Sequence, residues 1–225
     1  MTSTDPFAAL AAQRTSVRGY TRQPVPDDLL HDLLVSARLA PSGANLQPGT
    51  FVQVRGAVRQ SLSQAMTDAY RANLAEAEDY SYFPDPMPGH LRRRQVAAAR
   101  ALYDSLGIAR EDRAGRDLQF ERNFRFFDAP VALVVTIEGG MGAGCYMDLG
   151  MALYGLLLAA QSRGLSSCAI GALASYPDLV RTHLGLTPDT HIVCGVALGY
   201  ADAAAPVNQT RTHRIDLENY FKVVG

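Results

Sequence analysis

The chain has 225 residues, with a hydrophobic fraction of 48%, a charged fraction of 19% and a formal net charge of -1. Those values suit one compact globular domain with a substantial core. The near-neutral balance gives no field toward nucleic acid or anionic membrane, and no basic block is interleaved with aromatics as a nucleic-acid reader requires.

Met1 to Leu10 carries Asp5 and lacks the apolar stretch of a signal peptide. Asp5 to Arg14 reads as a first helix, capped by Thr4 or Asp5, with Pro6 at its first position. RTSVRGYTRQPVP follows, polar and basic, without helical periodicity. A second helix starts at Asp27, with Leu29, Leu30, Leu33, Leu34, Ala37 and Ala40 at helical spacing, and stops at Pro41. PSGANLQPG is a turn-rich loop, and Thr50 to Val54 a short strand. Ala57 to Ala77 reads as a helix broken by the aromatic, proline-bearing DYSYFPDPMPG. Two charged helical patterns follow, Leu91 to Leu106 and Arg113 to Phe126.

Pro130 opens VALVVTI, a continuous apolar run typical of a buried strand. GGMGAG, Gly139 to Gly144, then leads into a helix from Tyr146 to Ser162 that is apolar nearly all round, as expected of a core or a subunit interface. Its longest apolar stretch, Leu149 to Ala160, is too short to span a bilayer. Leu165 to Ile170 is a strand, Tyr176 to Leu184 a short helix, His191 to Leu198 another buried strand, and the tail is polar and basic. The expectation is a single α+β domain over 1–225, with a more charged helical excursion or lid over 70–127. Cys145, Cys168 and Cys194 are widely spaced without a CxxC pair, which fits a reducing, cytoplasmic setting rather than a disulfide framework.

Two basic segments sit at opposite ends of the chain. One holds Arg14, Thr15, Ser16 and Arg18; the other holds Arg211, Thr212 and Arg214. Alternation puts Arg14, Ser16 and Arg18 on one side of an extended segment. Guanidinium forks with a hydroxyl suit a phosphate, while a solvated surface with ion pairs accounts for the same spacing. Ser42, Asn45 and Gln47 can present amides and a hydroxyl to the heteroatom edge of a planar ligand, or simply cap a turn. GGMGAG lacks both GxGxxG spacing and a Walker ending, and reads as a flexible turn. The five histidines show no metal-ligand spacing, and GxSxG is absent, so neither a metal site nor a nucleophile elbow is expected. The triplet Arg92, Arg93, Arg94 reads as a solvated helix face. Phe120 and Phe124, one helical turn apart, are either core or a stacking surface for a flat acceptor.

Taken in order, RTSVRGY (14–20), APSGANLQP (40–48), FFDAPVALVV (126–135), DLGMALYGLLLAAQSRGLSSCAIGAL (148–173), VCGVALGYAD (193–202) and VNQTRTHR (207–214) resemble the nitroreductase family, in particular its nitroaromatic acid reductases. The resemblance implies an α+β sandwich with a central, mainly antiparallel sheet flanked by helices. It further implies a homodimer formed through long central helices, with FMN at each subunit interface. It gives Arg14, Thr15, Ser16 and Arg18 the FMN phosphate, ribityl chain and ring edge. Arg214, with Arg211, is assigned the phosphate. Ser42, Gly43, Asn45 and Gln47 match a loop supplied by the partner chain, and Ala169, Ile170 and Gly171 match backbone lying along the isoalloxazine.

Two positions depart from the family pattern. Gly49 stands where an aromatic is common, which suggests extra room near the flavin or interface, and Thr212 stands where a basic residue is common. The implied activity is ping-pong electron transfer from NAD(P)H through FMN to a nitroaromatic or quinone-like acceptor, with no side-chain acid or base required. A flavin-dependent oxidase or dehydrogenase tailoring a small molecule, and a non-catalytic flavin-binding protein, share the same features.

Overall fold

The computed structural model describes residues 5–225. Among them are eight α-helices, four strands and several 3-10 turns. The first half supplies α1 (Pro6–Gln13), α2 (Asp27–Ala37), β1 (Thr50–Gln53), α3 (Gly56–Arg71), α4 (Gly89–Ser105) and α5 (Arg113–Glu121). The second half supplies β2 (Val131–Glu138), α6 (Ala143–Ser162), β3 (Ser166–Ile170), α7 (Pro177–Leu184), β4 (Thr190–Gly199) and α8 (Leu217–Tyr220). The sheet order is β1-β2-β4-β3, and every pairing is antiparallel.

The period-two geometry of β2 builds the layers. Leu133, Val135 and Ile137 face α2 and α6, packing with Leu33, Leu149 and Leu156. Ala132 and Val134 face the other way, toward Leu62 and Met66 of α3, Val180 of α7 and the cluster Phe124, Phe126 and Phe127. A strand buried on both faces needs an unbroken apolar run, which VALVVTI is. Leu133, Val134 and Val135 are fully buried, and truncating Leu133 to Ala would cost about 3 kcal/mol.

Several element ends differ from the sequence reading, each for a local reason. Asp5 caps α1 by accepting from the Phe7 N–H at 3.0 Å; Thr4, the other candidate cap, lies outside the described residues. The second helix closes at Ala37, short of Pro41. α3 ends at Arg71 rather than Ala77, because Asn73 turns left-handed (φ 51°). α5 ends at Glu121 rather than Phe126, because Phe126, Phe127 and Asp128 all take positive φ (53°, 52° and 60°). α6 starts at Ala143, so the end of GGMGAG is helix and its turn is confined to the residues before it. The tail contains a short helix, α8, that the sequence reading did not foresee.

Within one chain α6 is not buried on every side. Leu149, Leu156 and Ala160 are covered, while Met147 (67% exposed), Met151 and Tyr154 are open. Its 20 residues also make it long and apolar enough to cross a membrane by length and composition, a possibility the shorter stretch read from the sequence understated. Here it packs lengthwise against the sheet and α2 instead. α4 has no buried residue, and it lies against the Pro206–Gln209 turn.

Candidate active site

The two basic ends of the chain meet beside β3. After α1 the backbone runs along the outer edge of this strand: Ser16 bridges Ser167, the Val17 N–H donates to the Ser167 carbonyl at 3.1 Å, and Tyr20 pairs with Ala201. The side chain of Asn208 then joins the two ends. Its Oδ1 accepts from the backbone N–H groups of Arg18 (2.9 Å) and Gly19 (3.0 Å), and its Nδ2 donates to the carbonyls of Gly19 and Asp202, both at 2.8 Å. The approach needs glycine, since a Cβ on Gly19 would lie 2.6 Å from that of Ala205.

Between these ends lies a cavity of about 320 Å³, lined by Arg14, Arg18, Arg211 and Arg214 and by Thr15, Ser16, Thr210 and Thr212. Among the described residues, its lining holds no carboxylate. Arg211 is held by its own Nη1 donating to the carbonyls of Asn208 (2.8 Å) and Thr210 (2.9 Å). Arg214 donates to the Thr212 hydroxyl at 3.0 Å, so Thr212 orients a cation instead of adding one. Clustered cations and hydroxyls without an anion of their own fit a phosphate monoester.

Arg18 rests over the Phe127 ring, 5.8 Å from its centroid, and Arg122 lies 6.0 Å from the same centroid. A cation on an aromatic face gains about 0.5–2 kcal/mol and a fixed direction. The left-handed turn at Phe126–Asp128 presents that ring, and such backbone strain persists where surrounding packing over-determines it. Cys168 lies behind Ser16. Burial pushes its thiol up, while the Arg18 guanidinium and the Ser16 hydrogen bond pull the other way, and the net raised value disfavours a nucleophilic thiolate.

Ser42, Gly43, Asn45 and Gln47 do not line this cavity. They sit against the N-terminal half of α6, where the Gly43 N–H donates to buried Asp148 at 2.9 Å and the Gln47 N–H donates to the Ser42 hydroxyl at 2.9 Å. Ala44, Asn45 and Gln47 take positive φ, and Gly43, Asn45 and Gln47 are exposed in the single chain. Gly49 is exposed in the single chain and turns left-handed. At φ 93° a Cβ there would lie 2.5 Å from Leu149, so this backbone is one that glycine suits.

Ala169, Ile170 and Gly171 form the end of edge strand β3, with Ala169 and Gly171 exposed and Ile170 buried. Phe120 and Phe124 belong to, or pack against, the core cluster that also holds Ile170. Phe124 is 1% exposed in the core, and Phe120 stacks on Tyr70 beside a separate small cavity. The aromatics beside exposed Gly171 come from the loop after α3. Tyr82 lies 3.8 Å from where a Gly171 Cβ would stand, and Phe83 meets Tyr82 edge-on at 4.8 Å. Sequence reasoning missed these residues, although YSYF in a proline-rich loop was a visible signal. It also missed Asn208 and Asp148, and the single carboxylate in an otherwise apolar helix could have pointed to the latter. Among the described residues, no cluster of His, Cys, Asp and Glu could hold a metal ion.

Comparison with known proteins places this geometry in context. The model of the nitroreductase family matches residues 11–200. A chloronitrobenzene nitroreductase of Comamonas testosteroni is 36% identical over 223 residues, 98% of each chain. A 4-nitrobenzoate reductase of Pseudomonas putida is 35% identical over 222 residues, 99% of this chain and 97% of that one. The crystal structure of the FMN and NADPH-dependent nitroreductase NfnB from sphigopyxis sp. strain HMH superposes with a TM-score of 0.93 at 36% identity, covering 97% of this chain and 98% of that one.

Proposed function

The chain belongs to the nitroreductase family, and on that premise we propose that it is an FMN-dependent enzyme that uses NADPH to reduce nitroaromatic compounds. The observation that carries this reading is the cradle of Arg14, Arg18, Arg211 and Arg214 beside the bare end of β3. Arg14, Arg211 and Arg214, with Thr15 and Ser16, hold the FMN phosphate. Arg18, steadied on Phe127, would supply a cation for the negative charge of the reduced group. Ala169, Ile170 and Gly171 offer a backbone edge with little side chain, against which a flat ring can lie. FMN, when bound, supplies the chemistry, accepting hydride from the nicotinamide and passing electrons to the acceptor.

Tyr82 and Phe83 form the wall beside that ring and present aromatic surface to a flat acceptor. Phe120 and Phe124 have no part in this wall. No side chain of the site is needed as a proton donor, since water can protonate the product.

The working unit is a homodimer. Met147, Met151 and Tyr154 lie on one face of α6 and are exposed in the single chain, as are Leu39 and Leu46, which flank the turn that packs on α6, and Tyr220, Phe221, Val223 and Val224 in the tail. So much apolar surface calls for a partner. The loop Ser42–Gln47 is fastened to α6 through Asp148, so pairing of α6 helices would carry each loop toward the other chain's cradle. Three unpaired cysteines suit a reducing cytoplasm.

The test is steady-state turnover of FMN-loaded protein with NADPH and 4-nitrobenzoate. NADPH oxidation coupled to loss of the nitro chromophore, with parallel double-reciprocal lines, is expected. NADPH-independent oxygen consumption, or no turnover with FMN bound, would contradict it.

A further inference from the structure

β3 has five residues and β4 ten, and their pairing ends at Ile170↔Gly195. Among the described residues, no strand continues along the β3 side of β4 from there back to Thr190, while β2 pairs with its other side. Side chains of the loop after α3 take that place. The Ile192 N–H donates to Asp79 Oδ2 at 2.8 Å. The Tyr80 hydroxyl donates to the carbonyl of Val193 at 2.7 Å, and Val193 is the residue skipped in the β2–β4 register. Burial pushes the Tyr80 phenol well above its ordinary value, which keeps it the donor.

Arg181 of α7 closes the arrangement. Its Nη1 donates to both Asp79 carboxylate oxygens, at 2.9 and 2.8 Å, and to the Thr190 carbonyl at 2.9 Å; its Nη2 donates to Asp178 at 2.8 Å. The side chains of Arg181 and Asp79 are 13% and 11% exposed. Just before them, the Ala77 N–H donates to the Ser175 carbonyl at 3.1 Å. Tyr82 and Phe83 follow within a few residues, yet they are 55% and 53% exposed. Burial therefore cannot fix their position, whereas a buried, multiply bonded ion pair admits one arrangement and loses its bonds in any other.

We infer that the Asp79–Arg181 pair, with Tyr80 as second anchor, is a positioning device for the aromatic wall: it sets where Tyr82 and Phe83 stand relative to the end of β3, and thereby which aromatic acceptors fit. This rests on the reading of Tyr82 and Phe83 as the acceptor wall.

The experiment compares FMN-loaded wild type with Asp79→Asn and Tyr80→Phe. It reads three quantities: KM and kcat for 4-nitrobenzoate, the dissociation constant of benzoate from its perturbation of the flavin absorption, and amide exchange along the chain. Loss of the pair should raise the nitrobenzoate KM and the benzoate dissociation constant about tenfold. FMN affinity and kcat should stay within about twofold, and exchange should quicken over 77–86 but not in α3. Tyr80→Phe should do the same to a smaller degree. If Asp79→Asn does not accumulate folded, Arg181→Lys carries the same expectation in its place.

Unchanged benzoate affinity in a folded variant, or a joint fall of kcat and FMN binding, would reduce the pair to ordinary scaffolding and overturn the inference. Wild type that binds benzoate but does not turn over nitrobenzoate would sink the proposed activity, while the binding and exchange comparison still judges the clamp. Wild type that binds FMN but neither aromatic would overturn wall and clamp together.

Discussion

At the scale of single residues, the arginine cradle makes the sharpest demand. Arg214 stands with Arg14, Arg18 and Arg211 around one cavity, and a charge-assisted hydrogen bond to phosphate is worth about 1.5–3 kcal/mol. Arg214→Ala should therefore weaken FMN binding about 10- to 100-fold, measured by quenching of flavin fluorescence on titrating the apoprotein. Arg214→Lys should recover part of the loss, because lysine offers a point charge without the fork. Unchanged affinity in Arg214→Ala would remove this residue from the phosphate site. Alternation put Arg14, Ser16 and Arg18 on one side but fitted a solvated surface as well, and it was the family resemblance that joined them to Arg211 and Arg214. Asn208 was not legible in the sequence, because its role is to satisfy backbone groups of Arg18, Gly19 and Asp202, and no local pattern marks a side chain that serves distant backbone. Gly49 could not be read alone for a related reason: its left-handed backbone and the contact a Cβ there would make with Leu149, distant in sequence, exist only in the fold.

At the scale of elements, apolar periodicity located the helices and strands, while their ends depended on backbone turns and long-range pairs. α3 was expected to run to Ala77, up to the proline-bearing loop; it stops at Arg71, whose guanidinium grips Glu121 of α5 with two bonds, at 2.8 and 2.7 Å. That pair fastens the segment leading to the aromatic loop onto α5, and it yields a pH dependence. The Arg71 guanidinium holds the Glu121 carboxyl below its usual range. Its contribution to stability is thus fully present above the unfolded carboxylate pKa of about 4.3 and is lost as pH falls through the lower folded value. Between pH about 5 and about 3, the melting temperature of wild type should fall more steeply than that of Glu121→Gln, which should already be lower at neutral pH. Parallel slopes would deny the pair this role. We propose that the excursion over 70–127 is centred on α4, which buries no residue, since Phe124, Phe126 and Phe127 at its end belong to the core. The all-round apolar α6 was legible as an element, but its composition could not say which side faces the sheet and which side is left for a partner.

At the scale of the whole molecule, the fold class followed from the order of elements and the shared motifs, and the antiparallel sheet agrees with it. The dimer is a proposal that rests on the exposed face of α6 and on the absence of the loop 42–47 from the lining of the cavity it would complete. Met151→Lys places a charge on that face. It should shift the protein from dimer to monomer in analytical ultracentrifugation and lower FMN occupancy at the same time. A monomeric wild type, or a monomeric variant with full FMN occupancy, would contradict a shared site.

The central claim is that this cradle holds a flavin that NADPH reduces and a nitroaromatic reoxidises. The measurement that tests it most directly is the anaerobic visible spectrum of FMN-loaded protein before and after NADPH, and again after 4-nitrobenzoate. Bleaching of the flavin band by NADPH and its return on adding the nitroaromatic is the expected result. A flavin band that NADPH leaves untouched, or a protein that takes up no FMN at all, would contradict it.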